Sequence, residues 1–128
     1  MANENAVVVV TKLAAADLSS YQYYACYLST DETVNVGSGY VYRPTGVLWN
    51  KPAAAGRGAQ VCIAGETPAM LGATVTARQL LMPDATGRWI PRIAGWPGYA
   101  EAQEGGNVGE IRKIRLFGGC CGTTPLSP

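Results

Sequence analysis

Histidine is absent from all 128 residues. With it go the commonest general base, the commonest metal ligand and the side chain that titrates nearest neutrality. Neither a Ser/His/Asp nor a Cys/His nucleophilic site can be built. Charge is scarce as well: Asp, Glu, Lys and Arg supply 15% of the chain, against about 25% in an average soluble domain. The formal net charge is +1, and no Lys or Arg occurs from residue 13 to residue 42. Nothing here draws the chain to nucleic acid. A surface this weakly charged suits a protein that spends its life against partners, because near-zero net charge favours association. Long apolar runs are missing too. The longest covers residues 6–10, far short of the roughly 18 residues of a membrane span. The stretch Met1-Ala2-Asn3-Glu4-Asn5 has no basic region, so a secretory leader is not expected.

Four cysteines are present, Cys26, Cys62, Cys120 and Cys121, and no two have the C-x-x-C spacing of a zinc or redox site. Cys120 and Cys121 are adjacent, which ordinary disulfide geometry disfavours. Cys26 and Cys62 read as small core residues. No metal and no cofactor is expected. Gly56-Arg57-Gly58 and Gly118-Gly119 match neither phosphate-binding glycine pattern, and no acid pair points to carboxylate catalysis.

Gly (16) and Pro (8) are plentiful and scattered. They cut the chain into brief segments, which suits many short strands and leaves little room for long helices. The expected fold is all-β: a compact barrel or sandwich of about nine to ten short strands. It has an N-terminal arm over residues 1–20, one β domain over 21–117 and a C-terminal tail over 118–128. Strands are expected over 6–11, where four consecutive valines favour a pleated surface, and over 21–29, 33–36, 46–50 and 59–64, with Thr67–Leu71 following Gly65-Glu66. Residues 12–18 could form a helical turn or two. Asp84-Ala85-Thr86-Gly87 between two apolar runs is a hairpin signal, since Asp starts the turn and Gly accepts positive φ. Strands at 99–102 and 110–117 complete the set. The alternation of the last one slips at Arg112-Lys113, which suggests a bulge or an exposed edge.

The tyrosines are the most uneven feature. Six of the seven lie in residues 21–42: Tyr21, Tyr23, Tyr24, Tyr27, Tyr40 and Tyr42. On a strand, Tyr21, Tyr23 and Tyr27 share one face and Tyr24 takes the other. Large rings with a polar tip concentrate at interfaces, though they also flank a domain's own core. Base stacking would need a basic groove around them. Arg112, Lys113 and Arg115 are the one close basic group, fitting a solvated edge strand or an acidic partner surface. Trp49 and Trp96 join these residues as interface candidates.

Several runs are arranged in a familiar order. Residues 59–66 (AQVCIAGE) come first, then Gly72, Val75 and Leu80-Leu81 in a G-x-x-V-x-x-x-x-L-L stretch. Asp84, Gly87 and Pro91 follow in a D-x-x-G-x-x-x-P hairpin, with Tyr99-Ala100-Glu101-Ala102 and residues 108–114 after it. This series resembles the small capsid cement or decoration proteins of tailed bacteriophages, over about residues 59–117. The resemblance implies a non-enzymatic β-rich protein, made in the host cytoplasm and bound to the outside of a phage head. Its partner would be the major capsid protein, and it would act as a trimer or dimer that bridges capsid subunits and stiffens the shell. Neither nucleic acid nor membrane would be a partner. The alternative is a small β-rich module of a phage tail or surface structure that binds carbohydrate or peptide.

Overall fold

The computed structural model describes residues 7–37 and 43–117. Nine strands follow in chain order: β1 (Val8–Ala14), β2 (Ala25–Thr30), β3 (Thr33–Val36), β4 (Gly46–Leu48), β5 (Gly58–Met70), β6 (Leu80–Pro83), β7 (Trp89–Pro91), β8 (Ala100–Ala102) and β9 (Ile111–Leu116). They form one continuous sheet in the order β1-β3-β2-β4-β5-β9-β8-β6-β7, and β1 also pairs with β5. That pairing closes β1-β3-β2-β4-β5 into a five-stranded barrel, which leaves no edge in this half of the molecule. The remaining strands curl from β5 through β9, β8 and β6 to β7. There Trp89 bridges back to Leu71, just beyond the end of β5, and the Gly72 N–H donates to the Trp89 carbonyl at 2.8 Å. β5 is therefore a shared wall between a closed barrel and a second, looser ring.

Each half has its own core. Cys26, Val34, Leu48, Ala59 and Val61 fill the barrel. Ala69, Leu71, Leu81, Trp89, Ile114 and Leu116 fill the second ring, joined by Ala25, Val47 and Cys62 from the barrel wall. Neighbours such as Ala25/Cys26, Val47/Leu48 and Val61/Cys62 thus serve opposite cores, because successive strand residues point to opposite faces. This explains why these strands read as unbroken apolar runs: both faces are buried.

A bulge makes the shared strand possible. On β5, Ala59, Val61 and Ile63 face the barrel core, while Cys62 and Ala69 belong to the other. The parity changes between Ile63 and Ala69. Gly65 sits in that interval with φ of 99°, a backbone state that favours glycine. Val8 pairs with Ala64 and Val9 with Cys62, which leaves Ile63 as the extra residue.

The all-β architecture agrees with the sequence, as does the hairpin at residues 84–87. Asp84 Oδ1 accepts hydrogen bonds from Thr86 N, Thr86 Oγ1 and Arg88 N at 2.8–3.0 Å. Other expectations need correction. The arm over residues 1–20 does not extend to 8–14, because Val8–Ala14 is a barrel strand held by both β3 and β5; residues 1–6 and the tail 118–128 lie outside the described residues. The helical turn expected within 12–18 is replaced by the end of that strand and a bend. The strand expected at 59–64 runs on through Gly65 and Glu66 to Met70. The last strand, β9, is neither bulged nor at an edge: it runs in unbroken register between β5 and β8.

Cys26 and Cys62 are buried free thiols that serve opposite cores. Burial raises the pKa of the Cys26 thiol from 9.0 to about 12, against a smaller opposing effect from its hydrogen bond to the Gly46 carbonyl. Burial raises Cys62 as well. Because only the thiolate reacts, a Cys120→Ser/Cys121→Ser variant should show no thiol titre with Ellman's reagent at pH 8 until denaturant is added, and then two. The folded pKa of Cys26 lies above its unfolded value. Its contribution to stability is therefore full below pH 9 and lost as pH rises from 9.0 towards about 12. Denaturant melts should show this decline, and Cys26→Ala should flatten it.

Candidate interaction surface

The tyrosine-rich segment does not form the strand that its composition suggests. Residues 21–24 make a turn, closed by Tyr24 N donating to the Tyr21 carbonyl at 3.1 Å, and β2 starts only at Ala25. Tyr23 adopts φ of 72°, a costly state for a bulky residue. Long-range backbone bonds hold it there: its N–H donates to the Leu48 carbonyl at 2.6 Å, and its carbonyl accepts from Met70 N at 3.0 Å. Tyr21, Tyr23 and Tyr27 therefore do not share a strand face. Tyr23 packs against the second core. Tyr27 lies half-buried on β2. Tyr21 and Tyr24 meet edge-to-face at 5.2 Å and 80°. Tyr40 and Tyr42 lie outside the described residues.

Trp49 is half-buried against the second core. Its Nε1 donates to Thr67 Oγ1 at 2.5 Å, and its carbonyl accepts from Gln22 Nε2 at 2.9 Å. Its first task is to tie β4 to β5. Trp96 is 37% exposed, in a loop with Ile93 beside the outward Leu80. Arg92 N donates to the Leu80 carbonyl, and Trp96 N to that of Ile93. Val108 and Ile111 are exposed as well. No local pattern marks Leu80, Ile93, Val108 or Ile111 as outward, since apolar strand and loop residues read alike whichever way they face.

The basic group is divided by its strand. Lys113 and Arg115 are exposed, whereas Arg112 is half-buried. Arg112 Nε donates to the Gly105 carbonyl at 3.2 Å, and its guanidinium pairs with Glu110. On the outer face, Lys113 pairs with Glu66 across to β5, and Arg115 with Glu101 across to β8. Arg115 also lies 5.9 Å from the ring centre of Phe117. The stripe is thus neutralised by glutamates on both flanking strands. Such exposed pairs contribute little to stability, on the order of 0–1 kcal/mol each.

What the structure brings together is a groove of about 420 Å³ lined by Tyr21, Tyr24, Asn35, Val36, Thr86 and Arg88. It lies where the β6–β7 hairpin docks on the barrel. Ala25 N donates to the Gly87 carbonyl at 2.7 Å. A Cβ on Gly87 would stand 3.0 Å from the Ala25 oxygen and from Gly37 N, and Gly87 has φ of 96°. Glycine is needed here for both turn and contact. The sequence marked the hairpin but not the surface it docks on. Among the described residues, no group of three or more Cys, Asp or Glu is placed to hold a metal ion.

No protein-family model matches the sequence, and no curated protein does either. Among solved structures, the crystal structure of the N base of head fiber gp8.5 from bacteriophage phi29 is similar. The TM-score is 0.63 at 17% identity, covering 87% of this chain and 94% of that one. At that identity the likeness is one of fold. It spans nearly the whole of both chains, so barrel and second ring are matched together.

Proposed function

We propose that this chain is a structural protein of a phage virion. It sits on the outside of the head, contacts major capsid subunits and bridges them, and acts as a homo-oligomer without catalysing a reaction. The observation that carries this reading is the fold correspondence with a phage head-fiber base over almost the full length of both chains. The ordered runs over residues 59–117 support it independently. So does the surface: large apolar side chains such as Trp96, Ile93 and Val108 stand exposed on a chain with little charge, as on proteins that bind others. On a shell with many equivalent seats, weak contacts per copy become cumulative for an oligomer.

Purified protein added to phage shells that lack it should co-sediment with them at micromolar concentration and raise their melting temperature. It should ignore unassembled capsid protein, and sedimentation equilibrium should find more than one copy per particle in solution. Failure to co-sediment overturns the reading. Binding to a glycan array with no shell affinity would replace it with the carbohydrate-binding alternative.

A further inference from the structure

The groove beside the hairpin at residues 84–87 carries a chemical bias: among the described residues, each of its unspent polar groups can donate a hydrogen bond, and two of them, the tyrosine hydroxyls, can also accept one. Arg88 Nε is buried with no hydrogen-bond partner among the described residues. Its ion pair with Asp84 Oδ2 spans 3.8 Å, beyond hydrogen-bond reach, and the guanidinium donates no hydrogen bond among the described residues. Asp84 is largely committed elsewhere, since its Oδ1 already accepts three bonds from the turn. Asn35 spends its Oδ1 on Val36 N at 2.8 Å, leaving its amide N–H groups. The hydroxyls of Tyr21 and Tyr24 make no hydrogen bond among the described residues. Among the described residues, no Asp or Glu lines the groove, and Arg88 is the one cation that does.

An acceptor-rich anion answers such a set, with the planar guanidinium suited to a carboxylate. The two tyrosine rings add apolar walls that a bare inorganic ion would leave unused. They stand at 80° to each other, so they do not form the coplanar platform on which successive sugar rings would stack. An extended peptide, with side-chain stems to lay against ring edges, fits better. We propose that this groove binds an acidic segment of a partner protein, one carboxylate pairing with Arg88 while neighbouring stems pack on Tyr21 and Tyr24. The inference rests on the function proposed above for the existence of a protein partner, and on the groove's own donors for its chemistry.

The test is a titration of the full chain with hexaglutamate, followed by NMR of the arginine side-chain N–H groups and tyrosine rings. Hexaglutamine and oligogalacturonate serve as comparison probes. Hexaglutamate should produce saturable shifts at Arg88, Tyr21 and Tyr24, and hexaglutamine should not. Arg88→Gln should weaken binding by about tenfold, the usual order for a charge-assisted hydrogen bond. Tyr21→Ala, at a site already 39% exposed, should weaken it by about threefold with an unchanged melting temperature. If Arg88→Gln does not fold, Arg88→Lys, which keeps the charge but loses the planar fork, should weaken binding in the same direction. Absence of saturable shifts, an equal response to hexaglutamine, oligogalacturonate binding in place of hexaglutamate, or full affinity in folded Arg88 and Tyr21 variants would each overturn the inference. Shell sedimentation separates this from the broader reading. Shells bound alongside a silent titration sink the groove alone, and hexaglutamate bound at the groove by a protein that ignores shells sinks the capsid role alone.

Discussion

Trp89→Ala lowers the thermal midpoint by about 15 °C, corresponding to a loss of about 4 kcal/mol in a domain of this size. Trp89 is fully buried and is the largest such side chain. It also sits at the closing point of the second ring, paired with Pro83 on β6 and bridged to Leu71 on the other side. A large indole removed here leaves a cavity bounded by strands that hydrogen bonds hold in place, so the site cannot collapse to fill it. The Trp89→Phe variant isolates the reason. Trp89 Nε1 is buried without a hydrogen-bond partner among the described residues, a penalty of about 1–3 kcal/mol that phenylalanine does not incur. Relief of that penalty offsets much of the lost ring volume, so Trp89→Phe costs less than about 1.5 kcal/mol. Differential scanning calorimetry on both variants decides. Equal, small losses from Ala and Phe would mean that the second ring is not packed around this residue.

The same site shows which parts of the fold could be read from the sequence. The hairpin that presents Trp89 is encoded locally: Asp84 closes three bonds within four residues, and Gly87 supplies the positive φ, so composition and spacing suffice. The turn at residues 21–24 is different. Aromatic composition there favours a strand, but Tyr23 is held at positive φ by Leu48 and Met70, which lie far off in sequence. The unity of β5 was hidden for a related reason. Gly65 and Pro68 look like punctuation, yet the strand continues through both because β9 pairs with it from Gly65 to Met70. Gly65 marks a change of core rather than an end. The basic residues of β9 were visible as a group, but their neutralisation was not, because Glu66 and Glu101 become neighbours only once the register is set. In the sequence, Arg88 is one unspecified position of the D-x-x-G-x-x-x-P hairpin pattern. Its role in the groove depends on Tyr21, Tyr24 and Asn35 arriving from the barrel, a long-range contact that no local pattern announces.

Gly46→Ala prevents the barrel from closing. Gly46 opens β4, the short strand between β2 and β5, and is opposite Cys26. It is fully enclosed, and its backbone is not in the left-handed region, so conformational freedom is not what glycine supplies here. Space is. An added Cβ would overlap the carbonyl oxygen of Cys62 and stand 2.9 Å from its carbonyl carbon and from Val61 Cγ1. Both carbonyl atoms are backbone in a strand that β1 and β4 grip from either side, so no rotamer change relieves the contact. One methyl group therefore forces β4 away from β5 and breaks the two pairings between Val47 and Cys62 and between Leu48 and Val61. Both buried cores lose partners with them, since Val47 serves one and Leu48 the other. The expected cost exceeds about 4 kcal/mol, the range reserved for overpacking and broken cores, and the variant should be recovered unfolded or insoluble. Gly56→Ala and Gly109→Ala are the matched controls. Both glycines have positive φ but nothing within 4 Å of an added Cβ, so each substitution should cost only about 1 kcal/mol of backbone strain. Circular dichroism melts of the three variants read the difference between needing glycine for its torsions and needing it for its missing side chain. A folded Gly46→Ala protein with a melting point near that of the two controls would show that β4 does not pack against β5 as closely as the barrel requires.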